Sequence, residues 1–289
     1  MADPQLTGQA SNSPSNSFPL VSVIIPTYNS ARSLERCLSS INLQSLSDLE
    51  VIVVDNYSRD DTCGIAKRCN ARLYSLAAER SAAKNFGIMK SKGKYILFID
   101  ADMELSNRVV EECLDYAERS REVEGVVIPE RSVGGGFWVR VRDFERSFYA
   151  GTKIESPRFF RRDLVLRAGG YDESVVFYEE STLPQRIEKM GYVSRPRIKS
   201  EILHHEEEFS IVSWLRKKYY YGKSAAKYRS LYREYGITQM SFPYRLSLYI
   251  RVRRFYSGGL LAGGLLALKA LEYCAAGMGY LAGPTKFNT

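Results

Sequence analysis

The chain alternates short apolar runs with segments in which apolar residues recur at helical spacing. Near-continuous Val and Ile runs are typical of strands that a parallel sheet buries on both faces. Apolar residues three and four positions apart indicate amphipathic helices instead. The first hundred residues therefore predict strands at Val21–Pro26, Leu49–Asp55, Ala71–Ser75 and Lys94–Ile99, separated by helices at Ser30–Leu46, Asp60–Cys69 and Arg80–Ser91. Strands and helices in this order predict an α/β fold with a mostly parallel sheet and right-handed crossovers.

The same pattern continues less regularly as far as residue 210. It predicts a helix over Ser106–Glu122, a strand over Gly125–Pro129 and a helix over Glu179–Met190. Three consecutive glycines at 134–136 indicate a flexible loop between the two halves.

The character of the chain changes after residue 210. Residues 211–256 contain eleven Lys or Arg and one acid, Glu234, interleaved with tyrosines, so this segment holds the basic excess of a chain whose net charge is +8. Basic and aromatic side chains together favour the headgroup region of a membrane. We therefore expect residues 210–256 to form amphipathic helices at a membrane interface.

An apolar stretch follows at residues 258–283, in which only Lys269 and Glu272 are charged. A bilayer span needs about 20 apolar residues. The two charges are three positions apart, so they share a helix face and can pair. We expect a membrane helix here, with a true span favoured over an in-plane or core helix. In a span, the arginines at 251, 253 and 254 would place the preceding α/β domain on the cytoplasmic face of the cell membrane.

The ends and the cysteines add little chemistry. Residues 1–20 are rich in Ser, Asn, Pro and Gln, show no apolar segment of a secretory signal, and predict a disordered tail. The five cysteines are scattered without a Cys-x-x-Cys spacing, which fits free thiols in a reducing compartment.

The first candidate for chemistry is the pair Asp100 and Asp102, which follows the apolar run Tyr95–Ile99. Two carboxylates one residue apart can hold a divalent cation, and Mg²⁺ or Mn²⁺ bound in this way completes its shell with phosphates and water. Ligands in open α/β sheets bind where strands end. The pair predicts a metal–diphosphate site, although acidic residues also follow strands for no functional reason.

Three further motifs accompany this pair in a fixed order. The four segments are Pro26-Thr27-Tyr28-Asn29, Asp55-Asn56-Tyr57-Ser58-Arg59-Asp60-Asp61-Thr62, Ala83-Lys84-Asn85-Phe86-Gly87 before Asp100-Ala101-Asp102, and Gly169-Gly170-Tyr171-Asp172-Glu173 before Glu179-Glu180. The series resembles the inverting, GT-A-fold glycosyltransferases of family two, over roughly residues 21–222. The resemblance implies a GT-A catalytic domain over residues 21–209. The patterning of the remaining chain predicts interface helices over 210–256 and a membrane-embedded segment with a tail over 257–289.

The resemblance also implies individual roles. Pro26, Thr27, Tyr28 and Asn29 would line the nucleotide pocket, and Asp55 would bind the base or ribose, with a helix cap as its alternative. Lys84 stands where the family often has Arg and would approach the diphosphate, or remain a solvated helix lysine. Asp100 would face the ribose or the metal, and Asp102 would coordinate Mg²⁺ or Mn²⁺. The metal would neutralise the diphosphate as it leaves.

Inversion requires a carboxylate that takes the proton of the acceptor hydroxyl. The family places this base in a Glu-Asp pair, which here reads Glu179-Glu180. By position Glu180 is the base, one methylene longer than usual, with Glu179 as the second candidate. Two acids at a helix N-terminus are also favourable for the helix alone.

His204 and His205 are the two histidines of the chain. In related enzymes a histidine at about this place contacts metal or diphosphate. Neighbouring strand residues face opposite sides, so one of them at most can do so, and we prefer His205. Farther on, Arg216 or Lys217 could reach the diphosphate. The Gln-x-x-Arg-Trp motif of the processive members is absent, which favours transfer of a single sugar.

The layout is similar to minimal cellulose-synthase-like archaeal membrane mannosyltransferases that assemble lipid-linked oligosaccharides for N-glycosylation. The resemblance therefore implies transfer of one hexose, such as mannose from GDP-mannose, to a polyprenyl-linked glycan at a membrane. Two other classes remain open. A sugar nucleotidyltransferase also joins an α/β sheet to paired acids, but usually opens with a Gly-rich loop, and residues 21–30 contain no glycine. A nucleic-acid binder could use the basic and aromatic segment, but would leave the acidic motifs without a role; we expect no nucleic acid.

Overall fold

A computed structural model describes residues 18–207 and 209–283. Most of the tail predicted for residues 1–20, and the last six residues of the chain, therefore lie outside the described part. The strands within it are β1 (Val21–Thr27), β2 (Leu49–Asp55), β3 (Arg72–Ser75), β4 (Tyr95–Phe98), β5 (Met103–Leu105), β6 (Glu130–Val133), β7 (Phe159–Arg161) and β8 (Ile202–His205).

The helices alternate with these strands and then continue alone to the end of the described chain. They are α1 (Ala31–Asn42), α2 (Thr62–Arg68), α3 (Arg80–Lys90), α4 (Val109–Arg119), α5 (Phe137–Arg146), α6 (Arg162–Arg167), α7 (Thr182–Glu188), α8 (Ile211–Leu231), α9 (Arg233–Met240), α10 (Phe242–Ile250), α11 (Arg253–Ser257) and α12 (Leu260–Ala282). A 3-10 turn at Glu179–Ser181 precedes α7.

The central sheet has the strand order β3-β2-β1-β4-β7. The first four strands are parallel, and β7 adds to the edge in the antiparallel direction. Both faces are covered, because Val23 and Ile25 belong to one buried cluster and Ile24 belongs to the other. The predicted α/β fold with a mostly parallel sheet is confirmed.

A smaller sheet, ordered β5-β8-β6, places the histidines beside the acidic pair. β5 pairs with β8 in antiparallel register, so Met103 lies opposite His204. Asp102 immediately precedes β5, and this register therefore brings it next to β8.

The strand predicted at Gly125–Pro129 is wrong. Val126 bridges to Phe159 and Val127 bridges to Arg197, so neighbouring residues turn to different partners and no ladder forms. The strand of this region is β6, which pairs in parallel with β8. The helix α5, which the sequence analysis did not predict, follows the glycine loop directly.

The C-terminal helix α12 packs against α8 and α5. Glycines let the backbones of α8 and α12 meet. A Cβ on Gly222 would lie 2.1 Å from the carbonyl oxygen of Ala276, and one on Gly279 would lie 2.0 Å from that of Tyr219. A larger residue at either place would force the helices apart.

Candidate active site

Asp55 lies at the carboxyl end of β2, directly opposite Thr27 at the end of β1. The side chain is fully buried. Its carboxylate accepts hydrogen bonds from Thr27 Oγ1 at 2.8 Å, from the Ser58 amide at 2.8 Å and from Ser58 Oγ at 2.5 Å. Asp55 therefore fixes the loop after β2, and it does not act as the N-cap of α2, a position held by Asp61.

The loops after β1 and β2 are tied to each other at the same edge. The Asn29 amide donates to Ser58 Oγ at 2.7 Å, and Asn29 Oδ1 accepts from the Arg59 amide at 2.8 Å. Asn29 and Tyr57 hold left-handed backbone angles, with φ of 49° and 51°. This arrangement leaves Tyr28 and Tyr57 60% and 63% exposed, so two aromatic rings are free at the edge of the sheet.

A cavity of about 600 Å³ opens beside Asp100. Its walls come from α3, β4, the segment around the Glu179 turn, α8 and α12. Lys84, Asp100, Glu179, Glu180, His204 and Lys217 line it, whereas the neighbouring Arg216 is exposed and does not. The fold thus brings most of the predicted diphosphate-side and catalytic residues to one cavity, with Lys217 as the residue of the α8 pair that faces it.

Asp100 is surrounded by positive charge. Arg158 Nη2 lies 3.4 Å from Asp100 Oδ2, and Arg158 Nε donates to Glu130 Oε1 at 2.6 Å. Burial acts to raise the pKa of the Asp100 carboxyl, but the charges of Arg80 and Arg158 outweigh it and hold that pKa well below its usual range. Asp100 is therefore ionised at neutral pH.

A chain of polar contacts leads from Asp100 to Asp102, and the backbone of residues 100–102 closes it into a ring. His204 Nε2 lies 3.0 Å from Asp102 Oδ2, and His204 Nδ1 lies 2.7 Å from Arg146 Nη2. Arg146 is also paired with Glu130, 2.5 Å away. The full ring, defined here as the acidic-pair ring, runs Asp100, Arg158, Glu130, Arg146, His204, Asp102. These contacts hold one carboxylate oxygen of each aspartate in place.

The donors of this site suit a small divalent cation. The buried oxygen Asp102 Oδ1 has no hydrogen-bond partner within the described residues. Those residues contain no group of three or more His, Cys, Asp or Glu arranged to hold a metal ion. Mg²⁺ and Mn²⁺ do not need such a cage, because one or two carboxylates with substrate phosphates and water suffice. The free carboxylate oxygen therefore fits the predicted cation.

The structure places His204, and not the preferred His205, beside the side chain of Asp102. His205 Nε2 lies 2.7 Å from Glu104 Oε2, on the side of the small sheet that faces away from Asp102. The alternation of side chains along β8 puts His204 on the other side, in contact with Asp102.

The two glutamates before α7 have different surroundings. Glu179 is buried and lies 3.3 Å from Arg80 Nη1 and 3.7 Å from Lys84 Nζ. No ion pair joins Glu180 to another described residue. Burial first, and the charge of Glu179 second, raise the pKa of Glu180 to about 7. The pair therefore consists of one compensated carboxylate and one carboxyl that exchanges its proton near neutral pH.

Lys84 is 3% exposed and lies 4.9 Å from the centre of the Tyr171 ring, so it is not a solvated helix lysine. Sequence reasoning missed Arg80, one turn earlier on the same face of α3, although the spacing of four residues could have indicated it. It also missed Arg158, Glu130 and Arg146. Nothing in the sequence indicates these three, since they come from β6, α5 and a loop that meet only in the folded chain.

The profile of glycosyl transferase family 2 matches residues 22–175. Among curated proteins, the chain is 32% identical over 147 residues to the glycosyltransferase EpsJ of Bacillus subtilis, covering 49% of this chain and 40% of EpsJ. It is 38% identical over 96 residues to the glycosyltransferase AglE of Haloferax volcanii, covering 30% and 32%. To YibD of Escherichia coli it is 34% identical over 198 residues, covering 57% of each. The matches thus span roughly a third to three fifths of these relatives.

Solved structures share the fold over most of the chain. The mannosyltransferase PcManGT from Pyrobaculum calidifontis, in complex with GDP-Man and Mn²⁺, superposes with a TM-score of 0.59 at 22% identity and covers 92% of this chain and 86% of its own. Residues 1–349 of TarS from S. aureus, in complex with UDP, give a TM-score of 0.51 at 16% identity and cover 91% and 90%. At these identities the likeness concerns the GT-A fold alone.

Proposed function

Because the chain belongs to glycosyl transferase family 2, we propose that it is a glycosyltransferase. It would transfer one hexose from a nucleotide-sugar donor to an acceptor hydroxyl with inversion, using Glu180 as the base. The observation that carries the proposal is the contrast between the two glutamates. Glu179 is neutralised by two cations, whereas Glu180 faces the cavity without an ion pair among the described residues and titrates near pH 7. A base poised near the working pH is the efficient choice for proton abstraction.

The donor would lie along the carboxyl edge of the central sheet. Tyr28 and Tyr57 offer exposed rings for the base, next to the loops that Asp55 and Asn29 fix. The diphosphate would reach the cavity beside Asp100, where Lys84 and Lys217 supply positive charge. Neighbouring folds bind UDP or GDP-Man, which supports a nucleoside diphosphate sugar without selecting the base.

Asp102, through its free Oδ1, would hold Mg²⁺ or Mn²⁺, with His204 orienting the other oxygen. When bound, the cation supplies positive charge that stabilises the departing diphosphate. Asp100, kept ionised by Arg158 and Arg80, would bind the ribose hydroxyls or the cation.

The proposed transfer forms one bond to the anomeric carbon and breaks another, and a residue of this chain takes the released proton. The acceptor oxygen forms a bond to the anomeric carbon while Glu180 takes the hydroxyl proton. The bond between that carbon and the diphosphate oxygen breaks on the opposite face, and the nucleoside diphosphate leaves with the electron pair. Arg80 and Lys84 hold Glu179 in place beside the base.

For the acceptor, we propose a polyprenyl-linked glycan at the cytoplasmic face of a membrane, with mannose from GDP-mannose as the first donor to test. The support is the one described helix that is long and apolar enough to cross a membrane, α12, which also lines the cavity. The proposal includes the division of the chain into a catalytic domain that ends at residue 209, interface helices that end at residue 256, and a membrane-associated segment that follows.

The experiment compares Glu180→Gln with Glu179→Gln in the full chain. Each variant is incubated with nucleotide sugars, Mn²⁺ or Mg²⁺ and a membrane lipid extract, and the labelled lipid product is measured. Donor affinity is measured separately by calorimetry. Loss of a general base lowers turnover by about 10²- to 10⁴-fold. We expect that loss in Glu180→Gln with donor affinity unchanged. Retained turnover in this variant, with loss in Glu179→Gln, would move the base to Glu179.

A further inference from the structure

The helix α12 presents two different faces. Its charged residues, Lys269 and Glu272, are 4% and 6% exposed. The outer face, defined by the exposed residues Leu260, Leu266, Leu271, Cys274, Met278 and Leu281, carries no charged side chain. Leu260 and Leu281, near the two ends, are each 85% exposed. An uncharged strip thus runs along the whole helix, which is about 35 Å long at 1.5 Å per residue.

The charges on the inner face are neutralised by the protein. Lys269 Nζ lies 2.6 Å from Glu145 on α5 and 2.5 Å from Glu272, one turn along its own helix. Glu272 also accepts a hydrogen bond of 2.6 Å from the Trp214 indole on α8. The pairing of Lys269 with Glu272 predicted from their spacing is confirmed, but the pair faces the catalytic domain.

The contact of α12 with α5 and α8 extends along most of its length. Near its start, a Cβ on Gly264 would lie 2.6 Å from the Phe137 ring of α5, and near its end Gly279 meets the backbone of α8. If α12 crossed a bilayer, α5 and α8 would be drawn into the hydrocarbon with exposed charges such as Arg140, Arg216 and Lys227. Charged side chains at that depth are strongly unfavourable. The packing of α12 is therefore incompatible with a span.

Exposed basic residues lie on the segment that leads into α12. Arg251, Arg253 and Arg254 are exposed on the segment that leads into α12, and Tyr256 is 71% exposed beside them. Arginines next to an aromatic ring and an apolar strip match the order of layers at an anionic lipid surface, where phosphates lie above the acyl chains.

We propose that the outer face of α12 lies in the plane of an anionic bilayer, at the boundary of headgroups and acyl chains, with Arg251, Arg253 and Arg254 on the lipid phosphates. This inference deepens the proposed membrane location and replaces a span by an in-plane attachment. The cavity, which α12 also lines, would then open next to the lipid surface.

The first test measures flotation of the full chain with phosphatidylcholine vesicles that contain or lack 30% phosphatidylglycerol, without donor or acceptor. We expect binding to the anionic vesicles that weakens as salt increases. Leu260→Gln with Leu281→Gln should weaken it at least about tenfold, since each leucine loses its apolar burial in the lipid. The matched control is Leu43→Gln with Met89→Gln, two residues of 72% and 67% exposure outside the C-terminal helices, and should bind as the unchanged chain does.

The second test measures depth. A fluorophore is attached to Cys274, or to Leu260→Cys in a Cys274→Ser background, with Cys63 and Cys69 replaced by Ser in both proteins. These positions are fourteen residues apart, or about 21 Å along the helix. Quenching by lipids brominated at different depths should place both labels at the same shallow level. A depth difference approaching 21 Å would mean that α12 spans, and would overturn the proposal.

A second copy of the chain is the competing occupant of the outer face. If the chain is a dimer without lipid, and the two-leucine variant becomes monomeric while still floating with vesicles, the outer face is a protein interface and the proposal is wrong. Because no substrate is present, the result is independent of the proposed transferase chemistry. A chain that floats with vesicles but transfers no sugar would refute the proposed transferase chemistry and leave the proposed membrane attachment standing.

Discussion

The contact between α8 and α12 makes a sharp prediction for Gly279→Ala. The new Cβ would lie 2.0 Å from the Tyr219 carbonyl oxygen and 2.9 Å from its carbon. Real Cβ atoms essentially never approach another heavy atom within 3.0 Å, so the two backbones must separate by about 1 Å. Neither atom is the end of a flexible side chain, and the strain cannot be relieved by a rotamer change.

The magnitude follows from the packing. Overpacking a well-packed contact typically destabilises by about 1–3 kcal/mol, and a gap of about 1 Å elsewhere along the interface loses up to half of each affected dispersion contact. At roughly 2–4 °C per kcal/mol for a large domain, we expect Tm to fall by about 2–12 °C. The assay is thermal unfolding followed by circular dichroism.

The matched control is Gly277→Ala, two positions earlier on α12, where a Cβ would meet no atom within 4 Å. Alanine is the better helix former by about 1 kcal/mol, so this variant should keep or raise Tm. Equal Tm values for the two variants would refute the close packing of α12 on α8, and with it the argument against a span.

Three further predictions concern the charged groups. Activity should rise with pH and reach half its maximum near pH 7, because Glu180 must be deprotonated and burial with the Glu179 charge raises its pKa to about 7. Glu179→Gln should move this midpoint to lower pH, and an unmoved pH–rate profile would exclude that coupling. Arg158→Met removes the cation shared by Asp100 and Glu130. It should weaken Mn²⁺-dependent donor binding, measured by calorimetry, at least about tenfold. The control Arg167→Met, at an exposed position, should not change this binding. Lys269→Met removes the cation that Glu145 and Glu272 share and leaves each with one more distant cation, Arg245 or Lys218, at 3.9 Å. It should destabilise by about 3–5 kcal/mol in denaturant unfolding, against little change for the exposed Lys227→Met.

Local patterns determined the first half of the fold. The Val- and Ile-rich runs predicted β1 to β4, because both faces of a parallel strand are buried and the sequence must be apolar throughout. The strand at Gly125–Pro129 was wrong for a tertiary reason. Val126 and Val127 are apolar but bridge to different segments, and only the neighbouring chains decide whether a ladder forms.

The motifs of the sequence determined which residues could act, and their order along the chain identified the family. Asp100, Glu180 and Lys84 line one cavity, and Asp102 contacts His204, which lines it too, because each follows a short local signal at the edge of the sheet or on α3. The choice of His204 over His205 needed the register of β8 against β5, since neighbouring strand residues differ only in the side that they face.

Tertiary structure alone decided what the polar groups do to one another. The acidic-pair ring joins residues up to 104 positions apart, from Asp100 to His204, and no local spacing predicts such contacts. The same holds for α12. Its composition fits a bilayer span, but Glu145 and Trp214, far away in sequence, hold its charges against the catalytic domain. Composition fixes which environments a helix tolerates, and the partners that the fold supplies fix which one it occupies.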